Sequence, residues 1–166
     1  MRLDLAGLKQ MHPLLPATTA AEYEHRAALG LERRSHKPGV RMAARIEDES
    51  AAATLHWTSA ARAAEQLDRQ RITEDAAEAV TLALVHEGRG WVVRRRLQRG
   101  ESADWLLLDA AQQLIALEIS GLDRGDPARR LREKLKQAEL SRIAPQRAAC
   151  VVELATPQAL LERTET

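Results

Sequence analysis

The sequence contains no phenylalanine, one tyrosine and one cysteine, and these absences restrict how the chain is stabilised. The single thiol, Cys150, excludes an internal disulfide and is typical of a protein in a reducing cytoplasm. Because aromatic residues are scarce, Leu, Val, Ile and Ala must fill the core. No long apolar segment or secretory signal is found, since charges and prolines interrupt residues 1–16. We therefore expect a cytoplasmic protein that does not associate with a membrane.

The numbers of basic and acidic residues are nearly equal, so the net charge does not indicate what the protein binds. The chain has 25 basic and 24 acidic residues, so its net charge argues neither for nor against nucleic acid. Its hydrophobic content is that of a globular protein, and 166 residues suffice for one compact domain with a substantial core. We expect an N-terminal elaboration over residues 1–70 and a core over residues 71–166.

The N-terminal part is predicted to contain a helix and a β-hairpin. Residues 19–34 carry apolar side chains at helical spacing. Residues 40–46 alternate apolar and polar side chains, and residues 51–57 are expected to return as the second strand. Two further helices are predicted over residues 59–70 and 73–88, separated near Arg71, with Thr73 as the N-cap of the second.

The C-terminal part shows a clearer pattern of strands. A strand is predicted over residues 90–97, followed by a hairpin formed by residues 103–109 and 113–120. Asp126 and Pro127 are typical of the cap and first position of a helix, and residues 148–154 form the last predicted strand. From residue 74 onward the order is therefore helix, three strands, helix, strand.

Glu118 interrupts one of these apolar strands, and Ser120 follows it on the same face. A carboxylate in such a run must be paired, bound to a metal ion or placed at an exposed end, because burying it alone is very costly. Pairing with an arginine at the edge of the core, such as Arg95, is one structural interpretation. Asp104 lies on the adjacent strand of the hairpin, where it either ends the strand or joins Glu118 in one site.

The order of elements and these acidic residues resemble the PD-(D/E)XK nuclease superfamily, the fold of many restriction enzymes and Holliday-junction resolvases. The resemblance implies an α/β (α+β) restriction-endonuclease-like αβββαβ core, here with an N-terminal helix and β-hairpin. Asp104 matches the family's first acidic position, Glu118 the second, and Glu78 an acidic position in the preceding helix. The family's lysine, two residues after the second acidic position, is replaced by Ser120.

The resemblance implies that Glu78, Asp104 and Glu118 bind Mg²⁺ or Mn²⁺, since hard cations prefer carboxylate oxygens. In the family the lysine orients the attacking water and balances the charge of the transition state, whereas a serine hydroxyl carries no charge. Lys134 is the best substitute, because Arg130, Lys134, Gln137 and Ser141 lie at helical spacing along one flank of the predicted helix. An ordinary solvated helix face is the alternative interpretation of this row.

Two functional classes remain open from the sequence. The first is a divergent metal-dependent nuclease acting on DNA or RNA, with Asp104, Glu118, Ser120 and Lys134 in its catalytic site. The second is a nuclease-like fold without catalysis that serves as an interaction subunit, for example an immunity or defence-associated binding protein; the loss of the lysine favours it. In both classes the N-terminal region is a candidate surface for a protein partner or a homodimer.

Overall fold

The computed structural model describes residues 1–58 and 68–164. These residues form one mixed sheet of eight strands with four α-helices and a short 3-10 turn at Leu5–Gly7. The predicted α+β class is therefore confirmed. The strands are β1 (Arg2–Asp4), β2 (Val40–Ile46), β3 (Glu49–His56), β4 (Val92–Arg96), β5 (Trp105–Leu108), β6 (Leu114–Leu122), β7 (Gln146–Glu153) and β8 (Gln158–Arg163), and the helices are α1 (Leu8–Met11), α2 (Ala17–Glu32), α3 (Arg69–Arg89) and α4 (Pro127–Glu139).

The C-terminal elements follow the predicted order of helix, three strands, helix and strand. β4, β5 and β6 form an antiparallel meander, and α4 crosses over to place β7 parallel to β6. Asp126 caps α4 by accepting hydrogen bonds from the amides of Ala128 and Arg129, and Pro127 occupies its first turn, as predicted. Trp91 and Trp105 are buried in the core, with 3% and 1% exposure.

The N-terminal strands belong to the same sheet, whose full order is β1-β3-β2-β8-β7-β6-β5-β4. The predicted β2–β3 hairpin is confirmed. It joins the rest of the sheet through β8, which is antiparallel to β7 and parallel to β2. Neither β1 nor β8 was predicted, and the expected division at residue 70 falls inside α3.

The start of α3 corrects the sequence prediction. Thr73 is not an N-cap: it lies inside the helix, 7% exposed, and its hydroxyl donates to the carbonyl of Arg69. The cap is Asp68, whose carboxylate accepts from the amide of Gln70, and the helix runs through Arg71 without a break. Residues 59–67, which hold most of the other predicted helix, lie outside the described residues. The helix ends at Gly90, whose φ of 67° suits glycine.

The helices cover the two faces of the sheet unequally. α3 is buried along most of its length between α2 and the strands, whereas α4 packs on the opposite face, against β6 and β7. At Gly121 the backbone of β6 approaches α3 so closely that a Cβ atom would lie 2.3 Å from the carbonyl oxygen of Thr73. A side chain at this position would therefore separate β6 from α3. Within the described residues, no helix has the length and apolar character needed to cross a membrane.

Candidate active site

Asp104 lies just before β5, at a point where β6 extends beyond its neighbour. β6 pairs with β5 only as far as Leu117, so the next amide on that edge, Ile119, has no partner in β5. The carboxylate of Asp104 accepts this amide at 2.7 Å. Burial and, to a smaller extent, the nearby charge of Glu118 raise the pKa of Asp104 to about 6, and the hydrogen bond from the Ile119 amide opposes them. Asp104 is thus the member of this acidic pair with a raised proton affinity.

Glu118 projects from β6 toward α4 and contacts Lys134. The helical spacing of Lys134 predicted this neighbour. Lys134 Nζ lies 2.7 Å from Glu118 Oε1, and the two side chains are only 13% and 12% exposed. Arg95, the structural alternative, instead forms a bidentate ion pair with Glu101. The placement of Lys134 beside Glu118 follows from the helical spacing along α4, while its catalytic role stays a prediction.

Ser120 shares the face of Glu118, as strand alternation predicted, and contacts the preceding turn of α4. Arg130 Nε donates to Ser120 Oγ at 2.9 Å. A guanidinium therefore contacts the side chain at position 120, and it belongs to the helical turn before Lys134. Ser141, the last member of the predicted row, is buried and donates to the carbonyl of Glu101 instead.

Asp104 and Glu118 line one open pocket of about 410 Å³ between the β4–β5 loop and the end of α4. Two arginines, Arg96 and Arg99, and the amide side chain of Gln137 also line it. The pocket thus places two neighbouring carboxylates at its wall and positive charge around them. Such an arrangement suits a cation together with an anionic substrate.

Glu78 is buried in a separate network, here called the Glu78 cluster and formed with Tyr23, Arg96 and Trp105. Its Oε2 accepts from the Tyr23 hydroxyl at 2.5 Å and from Trp105 Nε1 at 2.7 Å, and its Oε1 accepts from Arg96 at 3.0 Å. Burial raises the pKa of Glu78, while the hydrogen bond from Tyr23 and the charge of Arg96 oppose this effect. Arg96 also stacks over the Trp105 ring at 5.5 Å and lines the pocket of Asp104. Arg96 therefore connects the Glu78 cluster to the pocket of Asp104 and Glu118.

The fit of this site to Mg²⁺ depends on two carboxylates rather than three. Among residues 1–58 and 68–164, no group of three or more His, Cys, Asp or Glu side chains is arranged to hold a metal ion. Mg²⁺ commonly keeps several water ligands and takes one or two carboxylates from the protein, with substrate phosphates completing its shell. The charge of Glu118 contributes to the raised pKa of Asp104, and a cation held by these two carboxylates would relieve that repulsion. The residues present thus fit a hydrated Mg²⁺ held by this pair.

Sequence reasoning missed one wall of the pocket and one hydrogen bond beside it. The loop from Gln98 to Ala103 forms this wall. The signal that could have identified it is Arg99 followed by Gly100, a basic residue in a turn sequence. The bond between Arg130 and Ser120 was also missed, although both belong to patterns that were recognised. Because Lys134 was placed beside Glu118, the residue one helical turn earlier, Arg130, could have been placed beside Ser120.

Comparison of the chain with protein-family models, with curated proteins and with solved structures gave no match.

Proposed function

We propose that this protein is a divergent metal-dependent nuclease with a restriction-endonuclease-like core, which cleaves phosphodiester bonds of DNA or RNA. One observation carries the proposal: Asp104 and Glu118 line a single pocket, and Lys134 Nζ lies 2.7 Å from Glu118. Two carboxylates and a lysine on these elements are the components that the related family uses. The topology of a meander followed by a crossover helix supports the same proposal.

Asp104 and Glu118 are the residues that would hold the metal ion. Bound Mg²⁺ supplies polarisation of the phosphate and a water of lowered pKa. Lys134 contributes a fixed positive charge beside Glu118, and such a charge stabilises the transition state more than a hydroxyl does. Arg96 and Arg99 orient the phosphate backbone at the mouth of the pocket.

The direct test is cleavage of single- and double-stranded DNA and RNA in Mg²⁺ or Mn²⁺. We expect Glu118→Gln and Asp104→Asn each to reduce the rate by about 100-fold or more. The matched control is Glu139→Gln, which changes an exposed glutamate at the end of α4 and should leave the rate unchanged. Cleavage by wild type that persists in Glu118→Gln would remove this strand from the active site.

A lysine exchange tests the substitute cation. Lys134→Ser alone should abolish most of the cleavage, and combining it with Ser120→Lys returns the lysine to the family's position on β6. We expect this double variant to recover activity in part, because the two positions are neighbours on one side of Glu118 and Arg130 remains beside position 120. Full activity in Lys134→Ser would show that Lys134 is only an ion-pair partner.

A second candidate is a nuclease-fold interaction subunit without catalysis. The close ion pair between Lys134 and Glu118 favours it, because a lysine that neutralises a carboxylate competes with a metal ion for that carboxylate. For this candidate, Mg²⁺ or Mn²⁺ leaves the melting temperature unchanged, and Glu118→Gln retains the affinity for its partner. A rise in melting temperature that Glu118→Gln removes supports the nuclease instead.

A further inference from the structure

A second pocket is lined by several arginine side chains. It lies at the C-terminal end of β6, before α4 begins. It has a volume of about 850 Å³ and shares no lining residue with the pocket of Asp104 and Glu118. Its arginines come from three places that are remote in sequence: the end of α2, the first turn of α3 and the turn after β6. We call this set the arginine pocket, and it consists of Arg33, Arg34, Arg69 and Arg124.

The positive charge of the arginine pocket is only partly balanced by protein groups. Asp123 lines the pocket and accepts from Arg34. The side chains of Arg33, Arg69 and Arg124 are exposed, and none of them has a hydrogen-bond or ion-pair partner within residues 1–58 and 68–164. Like charges held together without counter-charges repel one another, so their convergence is unfavourable unless an anion binds.

Arg34 is the least exposed of the four arginines. Its side chain is 19% exposed, and its Nε atom is buried without a hydrogen-bond partner. Burial lowers the pKa of Arg34, and the charges of Arg33 and Arg69 lower it further. A guanidinium almost always keeps its proton, so a lowered pKa here marks an environment that an anion would stabilise.

The chemistry of the pocket favours phosphate over carboxylate. A guanidinium fork binds phosphate oxygens in a bidentate manner, and several forks around one space match a ligand with several negative charges. The first turn of α3 lines the pocket through Arg69, Ile72 and Thr73, and the N-terminal end of a helix adds further positive potential. The volume lies in the range of pockets that accept ligands larger than a single phosphate.

We propose that the arginine pocket binds a ligand with several consecutive phosphate groups, supplied either by a nucleic-acid strand or by a free polyphosphate compound. The ligand's phosphates contact Arg33, Arg69 and Arg124, and they balance the charge around Arg34. This site is independent of the proposed nuclease function, because it uses neither the acidic pair nor a metal ion.

The test measures binding of inorganic tripolyphosphate and of a short single-stranded oligonucleotide to the full chain in the presence of EDTA. We expect wild type to bind tripolyphosphate, and Arg69→Gln/Arg124→Gln to weaken binding by about tenfold or more, since two charge-assisted hydrogen-bond partners are lost. Both side chains are exposed, so the fold should be retained; Arg124→Gln alone provides a second, smaller change of about threefold.

The matched control is Arg41→Gln/Arg142→Gln, which removes the same charge from two exposed arginines outside the pocket. It should change the affinity by less than about twofold. Parallel weakening of tripolyphosphate and oligonucleotide identifies nucleic acid as the source of the phosphates, whereas weakening of tripolyphosphate alone identifies a free polyphosphate compound. The proposal is overturned if wild type binds neither probe, if the pocket variant binds like the control, or if citrate binds as tightly as tripolyphosphate. Because no metal ion or cleavage is involved, a failure of the nuclease proposal leaves this result unaffected.

Discussion

Glu78 is a buried carboxylate and the Asp104–Glu118 pair joins a half-buried carboxylate to a buried one, yet the hydrogen bonding of the two sites differs. Glu78 receives three donors from Tyr23, Trp105 and Arg96. Asp104 accepts one backbone amide, and Glu118 accepts one ammonium. A carboxylate offers about four acceptor positions, so Glu78 is nearly satisfied by protein groups while the pair keeps acceptor positions for a ligand. Burial of a carboxylate therefore does not by itself indicate function; the number of donors around it separates a structural group from a binding group.

If Glu78 is a structural group, Glu78→Ala should lower the free energy of unfolding more than any other substitution considered below. The change leaves the buried Tyr23 hydroxyl and Trp105 Nε1 without their acceptor and removes the partner of Arg96, so we expect a loss of about 3 kcal/mol or more. Urea unfolding measures this loss. The control is Glu74→Ala, on the same helix but exposed, which should change stability by less than about 0.5 kcal/mol. A loss below about 1 kcal/mol for Glu78→Ala would contradict the structural role.

Lys134→Met should destabilise the fold by about 2 kcal/mol, because Glu118 is then buried without its counter-charge. Adding Glu118→Gln removes the unpaired charge, so the double variant should be more stable than Lys134→Met alone. Lys136→Met is the control, since Lys136 is exposed on the same helix. Chemical denaturation of wild type, Lys134→Met, Glu118→Gln and the double variant gives the coupling energy. No coupling would mean that the two charges do not interact in solution.

Asp104→Asn should instead stabilise the protein, and the gain should depend on pH. The pKa of Asp104 is raised from 3.8 to about 6 in the folded state, so the folded protein binds this proton more tightly than the unfolded chain. The resulting stability is present at low pH and is lost as pH rises from about 4 to above 6. Removing the charge should thus add about 1–2 kcal/mol at about pH 7.5 and less than half of that at about pH 4.5.

Unfolding midpoints of wild type and Asp104→Asn at the two pH values measure this difference. Asp48→Asn, in the exposed β2–β3 turn, is the control and should show no pH-dependent gain. If Asp104→Asn destabilises the protein at both pH values, the carboxylate serves mainly as the partner of the Ile119 amide.

The smallest effect is expected for Ser120→Ala, at about 0.5 kcal/mol. The change removes one acceptor from Arg130, but that guanidinium is 39% exposed and also contacts Glu133. Thermal unfolding should therefore differ little from that of Ser102→Ala, at an exposed serine in the β4–β5 loop. A loss above about 1.5 kcal/mol would indicate that Ser120 anchors α4 to β6.

The order of elements in the C-terminal half could be predicted because local patterns specify it. Short, nearly continuous apolar runs mark β5 and β6, and the Asp126–Pro127 pair marks the start of α4. The start of α3 was misplaced because Thr73, Glu74 and Asp75 together look like a capped first turn. Thr73 and Asp75 are instead buried, and packing determines where the helix begins.

β8 could not be predicted from local sequence. Its residues, Gln158–Arg163, are mostly good helix formers, and they become a strand because β7 and β2 lie on either side. The partners of Glu78 were missed for a related reason: Tyr23 is 55 residues away along the chain, so no local spacing indicates the contact. Lys134 could be placed because only one helix and its adjoining strand determine its position.

The pairing of β2 with β8 also has a consequence for synthesis of the protein. β2 ends at Ile46 and β8 begins at Gln158, so all the residues between them must leave the ribosome before this neighbour is present. Long-range strand pairing of this kind slows folding, because a large loop closes before any contact stabilises it. During translation the β2–β3 hairpin consequently exposes an unpaired edge. The charged side chains of Arg41 and Arg45 on β2 disfavour pairing of that edge with other nascent chains.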